Sequence, residues 1–170
     1  MPSPKRVRRA GLLCCHCVRN IAYYRAGWVN GSLVSPADFW KNTNSNFIDI
    51  AVLEWCKLFA DPKGKHNWRK VVPDRDQFLE NLYEVTGVTE GEFKAKRRET
   101  KKYRDKFVAH LDDDLRMYVP ELDILLSSTQ YLFDVIRMAF PDYLADAPED
   151  LMGFYEESFV HGRTIYPLNA

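Results

Sequence analysis

No uninterrupted apolar run in this chain approaches the roughly 18 residues that a membrane-spanning helix needs, so the sequence reads as that of a soluble protein. It also lacks a Gly-rich phosphate loop, an HExxH pair, an EF-hand loop and a Ser-His-Asp order, which argues against the common hydrolase and metal-dependent classes. No segment sustains the alternation of a β-strand and no internal repeat is visible. Net charge is missing as well: 24 Lys and Arg balance 24 Asp and Glu, so bulk charge does not point to a nucleic-acid partner. What is present is an ordinary globular composition, 46% apolar and 28% charged over 170 residues. That length predicts a single domain, residues 1–170, able to bury a core without disulfide or metal staples.

The balanced charge hides a polarity along the chain. Residues 1–30 carry Lys5, Arg6, Arg8, Arg9, Arg19 and Arg25 with no acid, whereas residues 108–160 carry twelve acids against Arg116 and Arg137. Such segregation permits a basic face for phosphates. Residues 1–10 read as a basic flexible tail. They imitate the start of a signal peptide, but His16, Arg19 and Asn20 interrupt the apolar core that export requires. Three of the four cysteines crowd into Cys14-Cys15-His16-Cys17, too close for ordinary intrachain pairing, which suits a reducing compartment and a cytoplasmic location. A zinc site would need a second spaced Cys or His pair, and only Cys56 is left. The cysteines therefore read as small buried side chains on a helix, with no metal and no cofactor expected.

Helical signals dominate the rest. Leu12, Leu13, Val18, Ile21 and Tyr24 mark a first helix over 12–28, closed by Asn30-Gly31. From Phe47 to Phe59 apolar residues cover most of the helix circumference, as in a heavily buried central helix. Residues 61–73 read as a basic loop in which Trp68 plugs a core edge or, with His66, stacks a base. Asp74 opens a helix that Gly87 stops, and Thr89 to Glu92 forms a capping box for a charged helix over about 90–111. The cleanest periodicity, Leu122, Leu125, Leu126, Leu132, Phe133, Ile136 and Phe140, ends at Pro141, and a last helix follows over 148–161. The expected fold is all-α, an antiparallel bundle of five or six helices.

The stretch Glu92–Asp114 carries the most chemistry. At about 100° per residue, Phe93, Thr100, Phe107 and Leu111 fall within roughly 40° of one line, and Arg104 sits in the middle of that packing stripe. A guanidinium there requires a carboxylate, carbonyls, a subunit cleft or a phosphate. An internal acid such as Glu54 is one candidate partner, and snorkelling past Phe107 is another resolution. His110 lies roughly 9 Å further along and about 120° around the axis. The two side chains can meet over one substrate if a second copy of the helix packs antiparallel about a two-fold axis, or if the helix ends before His110.

The run Tyr103-Arg104-Asp105-Lys106-Phe107-Val108-Ala109-His110-Leu111-Asp112 resembles the signature of the HEPN superfamily, and its form R-D-K-x-x-A-H-x-D is similar to the abortive-infection branch. Ile21-Ala22-Tyr23-Tyr24-Arg25 and Val52-Leu53-Glu54-Trp55-Cys56 extend the likeness over most of residues 12–140. The resemblance implies a helical, HEPN-like homodimer that cleaves RNA without metal, in phage defence or as a toxin, under the control of an antitoxin or regulatory protein. Arg104 would bind the scissile phosphate, His110 would move protons, and Asp105 would orient Arg104 or the other subunit's His110. Arg97, Lys101, Lys102 and Lys106 would contact the RNA backbone. A non-catalytic HEPN module that binds RNA, a nucleotide or a partner protein through the same cleft is the alternative. Asp112 stands where the branch inhibited by nucleotidyltransferases often carries a Tyr, so that modification route is not expected here.

Overall fold

The computed structural model describes residues 1–109 and 118–166, with 107–109 as backbone alone. Among them six α-helices follow one another: α1 (Pro4–Ala26), α2 (Asp38–Trp55), α3 (Arg75–Thr86), α4 (Glu90–Tyr103), α5 (Leu122–Ala139) and α6 (Leu151–Ile165). The fold is all-α apart from a two-residue antiparallel hairpin, β1 (Trp28–Val29) with β2 (Ser32–Leu33). The Asn30-Gly31 turn builds that hairpin, since both residues take positive φ, 50° and 78°, the conformation two-residue hairpin loops favour.

Helix α1 organises the core. Val7, Ala10, Cys14, Cys17 and Ile21, spaced three or four apart, are fully buried against α2, α5 and α6. The helix begins at Pro4, in the first turn where proline is tolerated, and not at Leu12. Lys5 to Arg9 therefore form its opening turns instead of a flexible tail, with Val7 turned inward between the cations. All four cysteines are free and buried. Burial pushes the Cys15 thiol up to about 11 and those of Cys17 and Cys56 to about 12.

Helix α2 continues directly into a π-helical turn, Cys56–Ala60. Within this region Trp55 stacks on Phe59 at 5.1 Å and donates its indole N–H to Ser128 Oγ on α5 at 2.9 Å. Burial is confined to one side, since Ile48, Val52, Trp55, Leu58 and Phe59 are buried while Ile50 stays 43% exposed. In the following loop Trp68 opens a 3₁₀ turn, Trp68–Lys70, and its ring stacks on Phe78 of α3 at 4.8 Å. Trp68 is therefore a core residue, 3% exposed.

The capping signals act as the sequence suggests. Asp74 accepts from the Asp76 and Gln77 amides, and Gly87 ends α3 in the left-handed conformation. Thr89 and Glu92 form a reciprocal capping box at the start of α4. Helix α5 buries Leu125, Leu132, Phe133 and Ile136, while α6 starts at Leu151 behind an Asp150 cap rather than at Pro148. No helix among the described residues is long and apolar enough to cross a membrane.

Helices α1 and α6 approach closely at Gly162, where a Cβ would lie 2.7 Å from the Ala26 Cβ and 3.1 Å from the Tyr23 ring. Overpacking of such a contact costs about 1–3 kcal/mol, so Gly162→Val is expected to lower the urea unfolding midpoint accordingly. An unchanged midpoint would contradict this packing.

Candidate functional site around Arg104

Helix α4 buries Phe93, Thr100 and Tyr103, so the first half of the expected stripe is present and Tyr103 joins it. The chain then widens into a second π-helical turn, Arg104–Ala109. Insertions of this kind re-aim the side chains that follow and recur at functional sites. Arg104 stands at the changeover, its side chain 17% exposed. It is neither sealed in the core nor free in solvent.

Two carboxylates hold it. Arg104 Nη1 donates to Asp61 Oδ2 at 2.7 Å, and Nε donates to Asp105 Oδ1 at 2.9 Å. Nη2 lies 2.7 Å from that same Asp105 oxygen. Asp61 directly follows the π turn after α2, so the ion pair joins the two π-helical segments. Burial works against the charge of Arg104, but Asp105, with Cys56 and Asp61 nearby, outweighs it and holds the guanidinium above its ordinary range. The expected internal partner, Glu54, is instead engaged by Lys57 at 2.9 Å. Asp61 belongs to no motif, although it is the only acid among the bases of residues 61–73.

The neighbouring Tyr103 is a second residue the motif did not single out. Its hydroxyl donates to Asp49 Oδ1 on α2 at 2.8 Å. Burial raises the Asp49 carboxyl above its usual 3.8, and the Tyr103 hydrogen bond works in the opposite direction. This bond fixes the end of α4 to α2 immediately before Arg104.

Of the cations assigned to RNA, Lys101 and Lys102 are exposed, while Arg97 and Lys106 are half-buried. Lys94 and Lys96 on the same helix are paired, with Glu90 and with Glu99 and Glu121 respectively. His110, Leu111 and Asp112 to Asp114 lie outside the described residues, as does the side chain of Phe107. His161 shares a 3.1 Å hydrogen bond with the Tyr23 hydroxyl. The segment Ile21 to Arg25 ties three helices together: Arg25 meets Asp123 of α5 at 2.6 Å and the Tyr155 hydroxyl of α6 at 3.3 Å. No cluster of three or more His, Cys, Asp or Glu able to hold a metal occurs among the described residues. Compared with models of known protein families, with curated proteins and with solved structures, the chain matches none.

The Tyr103–Asp49 bond yields a pH-dependent prediction. A hydrogen bond to an ionised carboxylate contributes about 1.5–3 kcal/mol, so Tyr103→Phe should lose stability of that order near neutrality. Without this donor the folded-state Asp49 pKa moves further up. The difference between wild type and variant is thus present above that pKa and fades as pH falls through it towards 3.8,. Urea titrations over this range check the prediction, and a deficit independent of pH would contradict it.

Proposed function

We propose that the chain is a metal-independent, homodimeric endoribonuclease of the HEPN type, acting in phage defence or as a toxin. The supporting observation is the setting of Arg104, a cation held in a defined orientation by Asp105 and Asp61 at a partly open π-helical turn. A guanidinium keeps its charge throughout the physiological range, and its planar donors match phosphate oxygens. Imidazole, supplied by His110, carries protons near neutrality.

In this mechanism Arg104 neutralises the phosphorane-like transition state. One His110 takes the proton of the 2′-hydroxyl as its oxygen bonds to phosphorus. The bond from phosphorus to the 5′-oxygen breaks, and the other subunit's His110 protonates the leaving oxygen. The products are a 2′,3′-cyclic phosphate and a 5′-hydroxyl. Asp105 positions the guanidinium, and Lys101 and Lys102 hold the backbone nearby. Asp61 opposes the reaction, because phosphate must compete with it for Arg104. A restraining protein that keeps this ion pair closed would hold the enzyme at rest.

That same ion pair favours the second reading, a non-catalytic HEPN module that binds RNA or a protein partner, because two carboxylates already satisfy the guanidinium. Incubating structured RNA with wild type, Arg104→Ala and His110→Ala in the presence of chelator separates the two. Loss of a general acid or base slows such chemistry about 10²–10⁴-fold and loss of a transition-state charge stabiliser about 10²–10³-fold, so both variants should fall by at least the lower figure while wild type forms cyclic phosphate ends. Asp61→Asn should cleave faster than wild type. Equal cleavage by all the proteins would remove the nuclease proposal, and RNA retention without cleavage would establish the second reading.

A further inference from the structure

A second concentration of cations lies away from Arg104. An open cleft of about 600 Å³ runs between the start of α1, the Trp68–Lys70 turn and the start of α3, with Phe140 closing one side. Arg6, Arg69, Lys70 and Arg75 line it, and no acidic residue does. Among the described residues none of these four cations forms an ion pair. Two acids flank Arg75 in sequence, Asp74, whose Oδ1 accepts from the Asp76 and Gln77 amides, and Asp76, and neither lines the cleft.

The cleft is also preorganised. Arg69 lies over the Trp68 ring at 5.1 Å, and that ring belongs to a stack that runs through Phe78 to Tyr131. Helix α1 places Lys5 and Arg6 in its opening turn, with no acid and no side-chain cap there. Cations at a helix N-terminus oppose the macrodipole, and an anion in the cleft would relieve that repulsion. The positive field extends beyond the cleft. Burial first, then Arg9, Lys57, Lys65 and Arg6, hold the His66 imidazole below its usual 6.5. Cations spread over three elements around an open cleft suit successive phosphates better than one compact anion, which needs donors that converge on a point.

We propose that this cleft binds the phosphodiester backbone of an RNA strand, as a holding site separate from Arg104. The naming of RNA rests on the function proposed above, while the site rests on the arrangement of Arg6, Arg69, Lys70 and Arg75. It gives Arg6 of the α1 basic run a role that the motif around Arg104 leaves unexplained.

The test is fluorescence anisotropy of a labelled single-stranded RNA across a salt series, with wild type, the triple variant Arg6→Gln/Lys70→Gln/Arg75→Gln, and Arg104→Ala. Three lost phosphate contacts should weaken binding by about tenfold or more and make the slope of log K against log salt shallower by about 2–3. Arg104→Ala should lose cleavage and, in binding, no more than its one phosphate contact, flattening the slope by about 1 or less. Arg75→Glu alone, at an exposed position, serves if the triple variant unfolds, and it should weaken binding in the same direction. Unchanged affinity and slope in these variants, or no RNA binding by wild type at low salt, would overturn the site. Competition by inorganic phosphate as strong as that by unlabelled RNA would also overturn it, in favour of a compact anion. Salt-dependent binding that needs the cleft, with no cleavage by wild type, would leave the site standing and remove only the nuclease reading.

Discussion

The burial of α1 is the constraint on which the rest of the molecule depends. A helix whose inward face holds Val7, Ala10, Cys14, Cys17 and Ile21 at zero exposure must be covered on several sides, and α2, α5 and α6 supply that cover. Small side chains along it allow close approach, and the Gly162–Ala26 contact uses the absence of a side chain directly. The polar groups this packing encloses find partners of their own. Asn44, 3% exposed, donates to the Tyr24 carbonyl and the Tyr166 hydroxyl and accepts from the Trp28 indole. That single amide links the hairpin, α1, α2 and the residue following α6.

Around this core the charged groups fall into two arrangements with opposite balance. Arg104 is outnumbered by carboxylates, whereas the cleft at the start of α1 holds cations with no acid in its lining. Neutral net charge conceals both, because the acids concentrate towards the second half of the chain. In the proposed function the two arrangements divide the work between chemistry at a guarded guanidinium and retention of the polyanion elsewhere. Separating them limits the conflict between tight backbone binding and the negative charge that Asp61 and Asp105 place beside Arg104.

Local signals in the sequence were the most legible. Asp74, Gly87 and the Thr89/Glu92 box delimit α3 and α4 because caps act within one turn and need no tertiary context. The apolar spacing of α5 and the burial of Phe93 and Thr100 follow from helix periodicity for the same reason. The start of α1 was not legible, since five residues including four bases contradict the usual charge preference at a helix N-terminus,. Tertiary burial of Val7 overrides that preference. The pairing of Arg104 with Asp61 joins positions 43 apart through two π-helical turns, and no one-dimensional spacing encodes it. The cleft draws its cations from three elements, so it too exists only once the chain is folded.

The proposed function requires two copies of the Arg104 segment to face one another across a shared groove. The most direct measurement is the distance between spin labels on Lys102→Cys, an exposed position beside Arg104, while the native cysteines are buried and hold their thiols protonated. Helices packed about a two-fold axis should give one narrow intermolecular distance of about 20–30 Å, two helix diameters with the label arms added. No intermolecular coupling, or a separation well beyond that range, would contradict the claim.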